Sequence, residues 1–190
     1  MLGLWVLLVG VIFVLLIAIV LFIMLNYNSL VSKRNKVKSQ KSQIDIELKR
    51  RFDLVPNLVE TVKGYANHEK TTLEAVVKAR SSYDFAGDNT KRALDADDVL
   101  SNALVKLFAL SESYPDLKAN ANFMSLQNEL SDIEKRIVFA RQFYNDSVLM
   151  LNNKIEMFPS SIIANLFKFK QESFFEASGS ERENVQVSYE

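Results

Sequence analysis

Leu4 through Leu25 form 22 consecutive positions with no charged side chain, and the Trp5 indole is their only side-chain hydrogen-bonding group. No Asp, Glu, His, Lys or Arg precedes Lys33. A helix of this length spans about 33 Å, against a hydrocarbon core of roughly 30 Å. Its Leu, Ile, Val and Phe side chains dissolve in lipid while the helical backbone satisfies its own hydrogen bonds. The run therefore predicts one membrane-spanning helix over 4–25, preceded by a short external stretch at 1–3. A cleaved signal peptide would show a basic start, an apolar run of roughly 7–15 residues and a small-x-small exit. Here the run is followed by Asn26-Tyr27-Asn28-Ser29-Leu30, so an uncleaved anchor is expected.

The flanks set the expected orientation. No Lys or Arg precedes the run, whereas Lys33, Arg34, Lys36, Lys38 and Lys41 follow it closely. Basic residues so placed resist translocation, which predicts a cytoplasmic C-terminal body and an external N-terminus. Lys33 to Arg51 holds eight basic and two acidic residues in a chain of zero net charge, so this stretch carries +6 and the remainder −6. A Lys or Arg beside anionic lipid is worth about 1 kcal/mol, and these five basic residues are candidate lipid contacts.

Beyond the apolar run the pattern is helical throughout. Phe123, Leu126, Leu130, Ile133, Ile137, Ala140, Tyr144, Val148, Leu151 and Ile155 recur at spacings of three and four, heptad phasing with one stutter. This predicts a single coiled-coil-like helix over Ala121–Glu156, about 54 Å long. Leu100, Leu104, Leu107 and Phe108 mark another between about Lys91 and Glu112, and Leu73, Val76, Val77 and Arg80 continue one from about Leu54 to Tyr83. The stem, Asn28 to Phe52, carries a thin apolar face of Val37, Ile44, Leu48 and Phe52. Pro56 is read as a helix restart, with Asp53 as N-cap and the proline at the third helical position. Pro115 disfavours helix in 111–120. Ser160 to Glu176 reads as a short helix that packs on the bundle in preference to lying on the membrane, with Lys168 and Lys170 available to lipid phosphates in the second case. A polar tail is expected to be disordered over 177–190. The fold class is all-α: one transmembrane helix, then an elongated antiparallel helical bundle over 26–176.

Several chemistries lack their residues. Cysteine is absent, which removes disulfides, thiolate metal sites and a cysteine nucleophile. His68 is the only histidine, so a zincin pair is excluded, and Tyr65 stands where a Glu-x-x-His motif needs its carboxylate. The five glycines are isolated and form no phosphate loop. No Gly-x-Ser-x-Gly elbow supports a serine hydrolase. No cofactor, metal or catalytic residue is therefore assigned, and nucleic acid is not expected as a partner because the basic stem lies beside the bilayer. Asp97-Asp98 and Glu129 with Asp132 read as helix N-terminal and solvent-face charges.

Ordered blocks of the sequence carry a resemblance. Tyr27-Asn28-Ser29-Leu30-Val31, Arg34-Asn35, Ile44-Asp45, Leu48-Lys49-Arg50-Arg51, Pro56 to Ala66 and His68-Glu69 are followed by Tyr114 to Asn120, Ala140 to Asn145, Phe158-Pro159 and Ile163-Ala164. In this order they resemble the LemA family, from residue 27 to about 176. The pattern departs at Lys41, where many members carry tryptophan. The resemblance implies a single-pass bacterial membrane protein with a short external N-terminus, a cytoplasmic antiparallel bundle and no enzyme activity. It implies no agreed biochemical role. Members are often encoded near membrane metalloproteases or other membrane proteins, and one branch is associated with magnetosomes.

Candidate partner-binding residues are Tyr114, Pro115, Asp116 and Lys118 in one break and Phe158 with Pro159 in the next, each pairing an aromatic with proline. The competing reading is that Tyr114, Leu117 and Phe158 plug bundle ends. Arg141 and Asn145, one turn apart, are candidates to meet a partner or, in preference, to stitch a neighbouring helix. The expected function is a membrane-tethered helical scaffold or adaptor that binds other membrane-associated proteins and self-associates. The alternatives are a surface organiser gathering anionic membrane lipids through the basic stem, and a hydrolase with an unrecognised site.

Overall fold

Helices account for nearly all of residues 2–87 and 89–175, the residues described by this computed structural model, with the side chains of Leu2 and Val6 excepted. The expected tail at 177–190 lies outside them, as does Met1. The helices are α1 (Leu2–Lys63), α2 (Lys70–Asp84), α3 (Thr90–Ser111), α4 (Pro115–Lys118), α5 (Ala121–Glu156) and α6 (Ser160–Leu166), with no strand among the described residues.

The expected restart at Asp53 does not occur. Pro56 lies inside an unbroken 62-residue α1. An interior proline removes one backbone bond and costs about 3 kcal/mol, but Phe52, Val55, Leu58, Val59 and Val62 are all buried around it, and that burial offsets the loss. The break falls instead at 64–69, inside the helix expected from Leu54 to Tyr83. Gly64 is a poor helix former, and the Val62 carbonyl accepts from both Tyr65 N and Ala66 N, closing a turn. Two side-chain bonds hold that turn: Tyr114 Oη donates to Glu69 Oε1 at 3.1 Å, and Asn120 Nδ2 donates to Tyr65 Oη at 2.9 Å.

α3 begins where Asn89 caps it, its Oδ1 accepting from Arg92 N at 3.1 Å. Gly87 precedes it at φ +54°, a conformation open to glycine without steric cost. α5 begins where Asn120 Oδ1 accepts from Phe123 N, and it has the predicted bounds. Its seam is buried at every predicted position except Leu126, which is half-buried. Two expectations need correction. Pro115 starts the one-turn α4, since a proline at the first helical position loses no intrahelical bond. α6 stops at Leu166, after which 167–175 is irregular.

The chain divides into two compact units. One comprises residues 2–39 with Tyr144–Phe174; the other comprises the described residues of Gln40–Phe143 with Phe175. The second unit is an up-down-up-down bundle. Thr90 Oγ1 donates to Asp45 Oδ1 and Arg51 meets Asp97, so α1 and α3 run parallel. Arg141 meets Asp97 and Phe108 meets Phe123, so α5 runs against α3, while Phe52 stacks on Tyr83 of α2 at 4.0 Å. In the first unit Leu30 and Val37 of α1 and Val148, Leu151 and Ile155 of α5 are buried with Ile163 and Ala164 of α6.

Candidate functional site

The bundle unit is built around an ionic network. Ile44, Leu48, Arg51 and Val55 follow spacings of four, three and four, and Asp97, Leu100, Leu104 and Leu107 follow three, four and three, so each apolar stripe contains one charge. Arg51 is 1% exposed and Asp97 3%. Arg51 Nη1 donates to Asp97 Oδ1 at 2.6 Å, and Arg51 Nη2 lies 3.5 Å from Glu134. Arg141 Nη2 reaches Asp97 at 3.5 Å and Asp98 at 3.4 Å. Burial pushes the Asp97 carboxyl above the ordinary carboxylate range, opposed by the charge and hydrogen bond of Arg51 and then by Arg141. The solvent-face reading of Asp97 is thus overturned: its place on the stripe with Leu100, Leu104 and Leu107 was a signal in the sequence, whereas its pairing with Arg51 was not. The network joins α1, α3 and α5.

A groove of about 530 Å³ opens between α1 and α2 in the same unit, with Val59, Leu73 and Val77 along it and Lys63, Lys70, Lys78, Asn67, Glu74 and Ser81 around them. Val77, expected on a core stripe, is 47% exposed. Lys63 pairs with Glu60 at 2.9 Å. Lys70 and Lys78 form no ion pair among the described residues, which leaves the groove with an apolar floor and a positive rim.

In the other unit, the residues that follow the apolar run meet the end of α5 and the segment after α6. Lys154 Nζ donates to Asn26 Oδ1 at 2.9 Å. The Tyr27 ring lies 4.7 Å from that of Phe167 and 5.9 Å from that of Phe169, and the Arg34 guanidinium sits 5.2 Å over Phe169. Further on, Asn152 Oδ1 accepts from Glu172 N at 3.0 Å, and Tyr144 Oη donates to the Ser173 carbonyl at 3.1 Å. Burial, then Glu172, raises the Tyr144 phenol above its usual range.

The LemA family model matches residues 40–189, most of the chain. The chain belongs to the LemA family. Among curated relatives, Protein LemA of Metamycoplasma hominis is 26% identical over 161 residues, covering 85% of this chain and 74% of the relative. Magnetosome protein MamQ of Magnetospirillum gryphiswaldense is 24% identical over 185 residues, covering 84% and 68%. Magnetosome protein MamQ 2 of Paramagnetospirillum magneticum is 25% identical with the same coverage.

The LemA-like blocks singled out in the sequence fall in both units. Tyr114, half-buried, is tied to Glu69, a bond that raises its phenol; Leu117 is fully buried; Pro115 and Asp116 are exposed. Lys118 pairs with Glu112 at 2.5 Å. Arg141 stitches α5 to α3, as expected, and Asn145 is half-buried. Phe158 does not plug a bundle end: it is 82% exposed, and Pro159 beside it is exposed too. Arg34, Lys36 and Lys38 are exposed and Lys33 is half-buried in the first unit; Lys41, exposed, belongs to the second. α1 contains a stretch long and apolar enough to cross a membrane, none of it buried within the protein.

Proposed function

We propose that this LemA-family chain is a membrane-anchored helical scaffold that holds partner proteins, and further copies of itself, at the cytoplasmic face of the bacterial inner membrane without catalysing a reaction. The lysine-rimmed groove between α1 and α2 carries the reading. An apolar floor of Val59, Leu73 and Val77 with Lys63, Lys70 and Lys78 around it suits an amphipathic helix that presents carboxylates beside its apolar stripe. Sidedness follows from the basic residues after the apolar run and their absence before it. Val138 and Phe139, both more than half exposed on α5, supply apolar surface for a second copy.

The test places a photo-crosslinking residue at Val77 in the full chain in its native membrane. A reproducible partner, lost when Lys63, Lys70 and Lys78 are changed to Glu, supports the groove. Capture indifferent to those charges, or no consistent product, removes it. The lipid-organising alternative rests on the basic stem. Along the first unit's helix Lys33 lies about 12 Å and Lys38 about 20 Å past Leu25, whereas the headgroup layer is roughly 5–8 Å thick and charges are screened over about 8 Å. Lys33 and Arg34 are therefore its strongest contributors, and reversing their charge with Lys36 and Lys38 separates the two readings through loss of lipid clustering.

A further inference from the structure

We infer that the turn from Met157 to Phe167 is a second membrane contact, an apolar tip that enters the interfacial layer of the leaflet from which α1 emerges. It rests on the reading above that Leu4–Leu25 spans the bilayer. Position is the first argument. Lys154, two residues before α5 ends, is bonded to Asn26, the first residue after the apolar run. The chain then returns past Tyr27 at Phe167 and Arg34 at Phe169, and continues to Asn152 at Glu172 and Tyr144 at Ser173. It is moving down α5 and away from the apolar run, so the turn between lies alongside the run's last residues. Ile23, inside the run, is half-buried.

The second argument is the division of faces. Ile163 and Ala164 of α6 are buried, which anchors the turn to its own unit. Ile162 and Leu166, one turn apart on α6, are 57% and 64% exposed, and Phe158 in the turn before the helix is 82% exposed. One face of α6 packs and another is bare. Bare apolar surface of this kind marks an interaction site.

Charge selects the occupant. From Met157 to Gln171 the sequence contains no Asp or Glu, while Lys168 and Lys170 are exposed at its end and Arg34 lies over Phe169. Aromatic and aliphatic side chains backed by cations at the water side are what an anionic bilayer interface receives, with apolar groups reaching roughly 5–10 Å into the headgroup–acyl boundary. The acidic amphipathic partner suited to the other unit's groove would find the cations here behind the apolar stripe, at the level of lipid phosphates.

A cysteine-free chain allows the test directly. Single cysteines at Phe158, Ile162, Leu15 and Asn128 of the full chain, all exposed positions, receive an environment-sensitive fluorophore in vesicles of mixed neutral and anionic lipid. The expected result is that labels at 158 and 162 are blue-shifted, quenched by lipids spin-labelled near the headgroup, and several-fold less open to aqueous iodide than the label at 128. If the label at 15 is lipid-quenched while 158 and 162 match 128, the tip is overturned and the anchor stands. If 158 and 162 are shielded from iodide yet untouched by spin-labelled lipid, a protein covers the tip and the inference is equally overturned. If 15 is not quenched by lipids spin-labelled deep in the acyl chains, the quencher used for that mid-bilayer position, the anchor itself fails and the tip with it. Circular dichroism of each labelled chain confirms that the helices are retained.

Discussion

Arg51 and Asp97 meet at 2.6 Å with both side chains almost fully withdrawn from water. Forming such a pair from two solvated ions gains little, because the desolvation of each opposes their attraction. Removing one member is another matter, since the survivor is left charged and buried. The pair also lies between α1 and α3, the two parallel helices of the bundle unit, so it discriminates one register of packing from its neighbours.

Asp97→Asn should therefore destabilise the chain by about 3 kcal/mol, with buried Arg51 left only the half-exposed Glu134 at 3.5 Å. The double change Arg51→Met with Asp97→Leu should cost no more than about 1 kcal/mol, because the stripes would then be apolar throughout. Chemical denaturation of the full chain in detergent measures both. Equal losses in the single and double variants would show that the pair's ionic character is irrelevant.

Tyr144 provides a pH dependence of known sign. Its phenol is held above the usual value of 10.0, first by burial and then by Glu172, so the folded state keeps the proton to higher pH than the unfolded chain does. Its contribution to stability is complete below pH 10.0 and declines as pH rises through the raised value. Tyr144→Phe should flatten that alkaline decline and lose about 1 kcal/mol at neutral pH, the worth of its bond to the Ser173 carbonyl. Denaturation midpoints across the alkaline range report both effects.

Pro56 is exposed and interior to α1. Pro56→Ala restores a backbone donor to the Phe52 carbonyl without opening a cavity, and the gain is only partly cancelled by the greater freedom of the unfolded chain. A net stabilisation of about 2 kcal/mol is expected. A loss of stability on thermal denaturation would show that the local backbone depends on the proline.

Gly87 stands at φ +54° with open space where a Cβ would be. Gly87→Ala should cost about 1 kcal/mol through backbone conformation alone, and Gly87→Asn less. Denaturation midpoints of the two variants distinguish this from a steric effect, under which Asn would be the worse.

Val77→Asp tests the groove with little effect on the fold. The side chain is half exposed, so stability should shift by no more than about 0.5 kcal/mol, while a photo-crosslinking residue moved to exposed Ser81 on the same groove should lose its partner in membranes. Retained capture would place the docking surface elsewhere.

Much of the fold could be read from local pattern. The Ala121–Glu156 helix and its buried seam follow from spacings of three and four repeated over ten positions, a signal no turn chemistry interrupts. α3 starts within one residue of its expected position because Asn89 and Gly87 punctuate it. The Pro56 expectation failed because the proline's local cost was weighed without the burial that offsets it, and the helix break moved to Gly64, whose turn is held by Tyr114 and Asn120 from distant sequence.

The site features divide along the same line. Residue order alone sets out the apolar run, the basic residues after it and the lack of cysteine, since these are properties of composition and spacing. Only the packed structure decides that Asp97 is buried against Arg51, that Val77 remains bare between lysines, and that Ile163 is covered while Ile162 is not. Neighbouring residues of one chemical type are equivalent along the chain. They are separated by which helix comes to lie against them, and that depends on contacts between residues far apart in sequence.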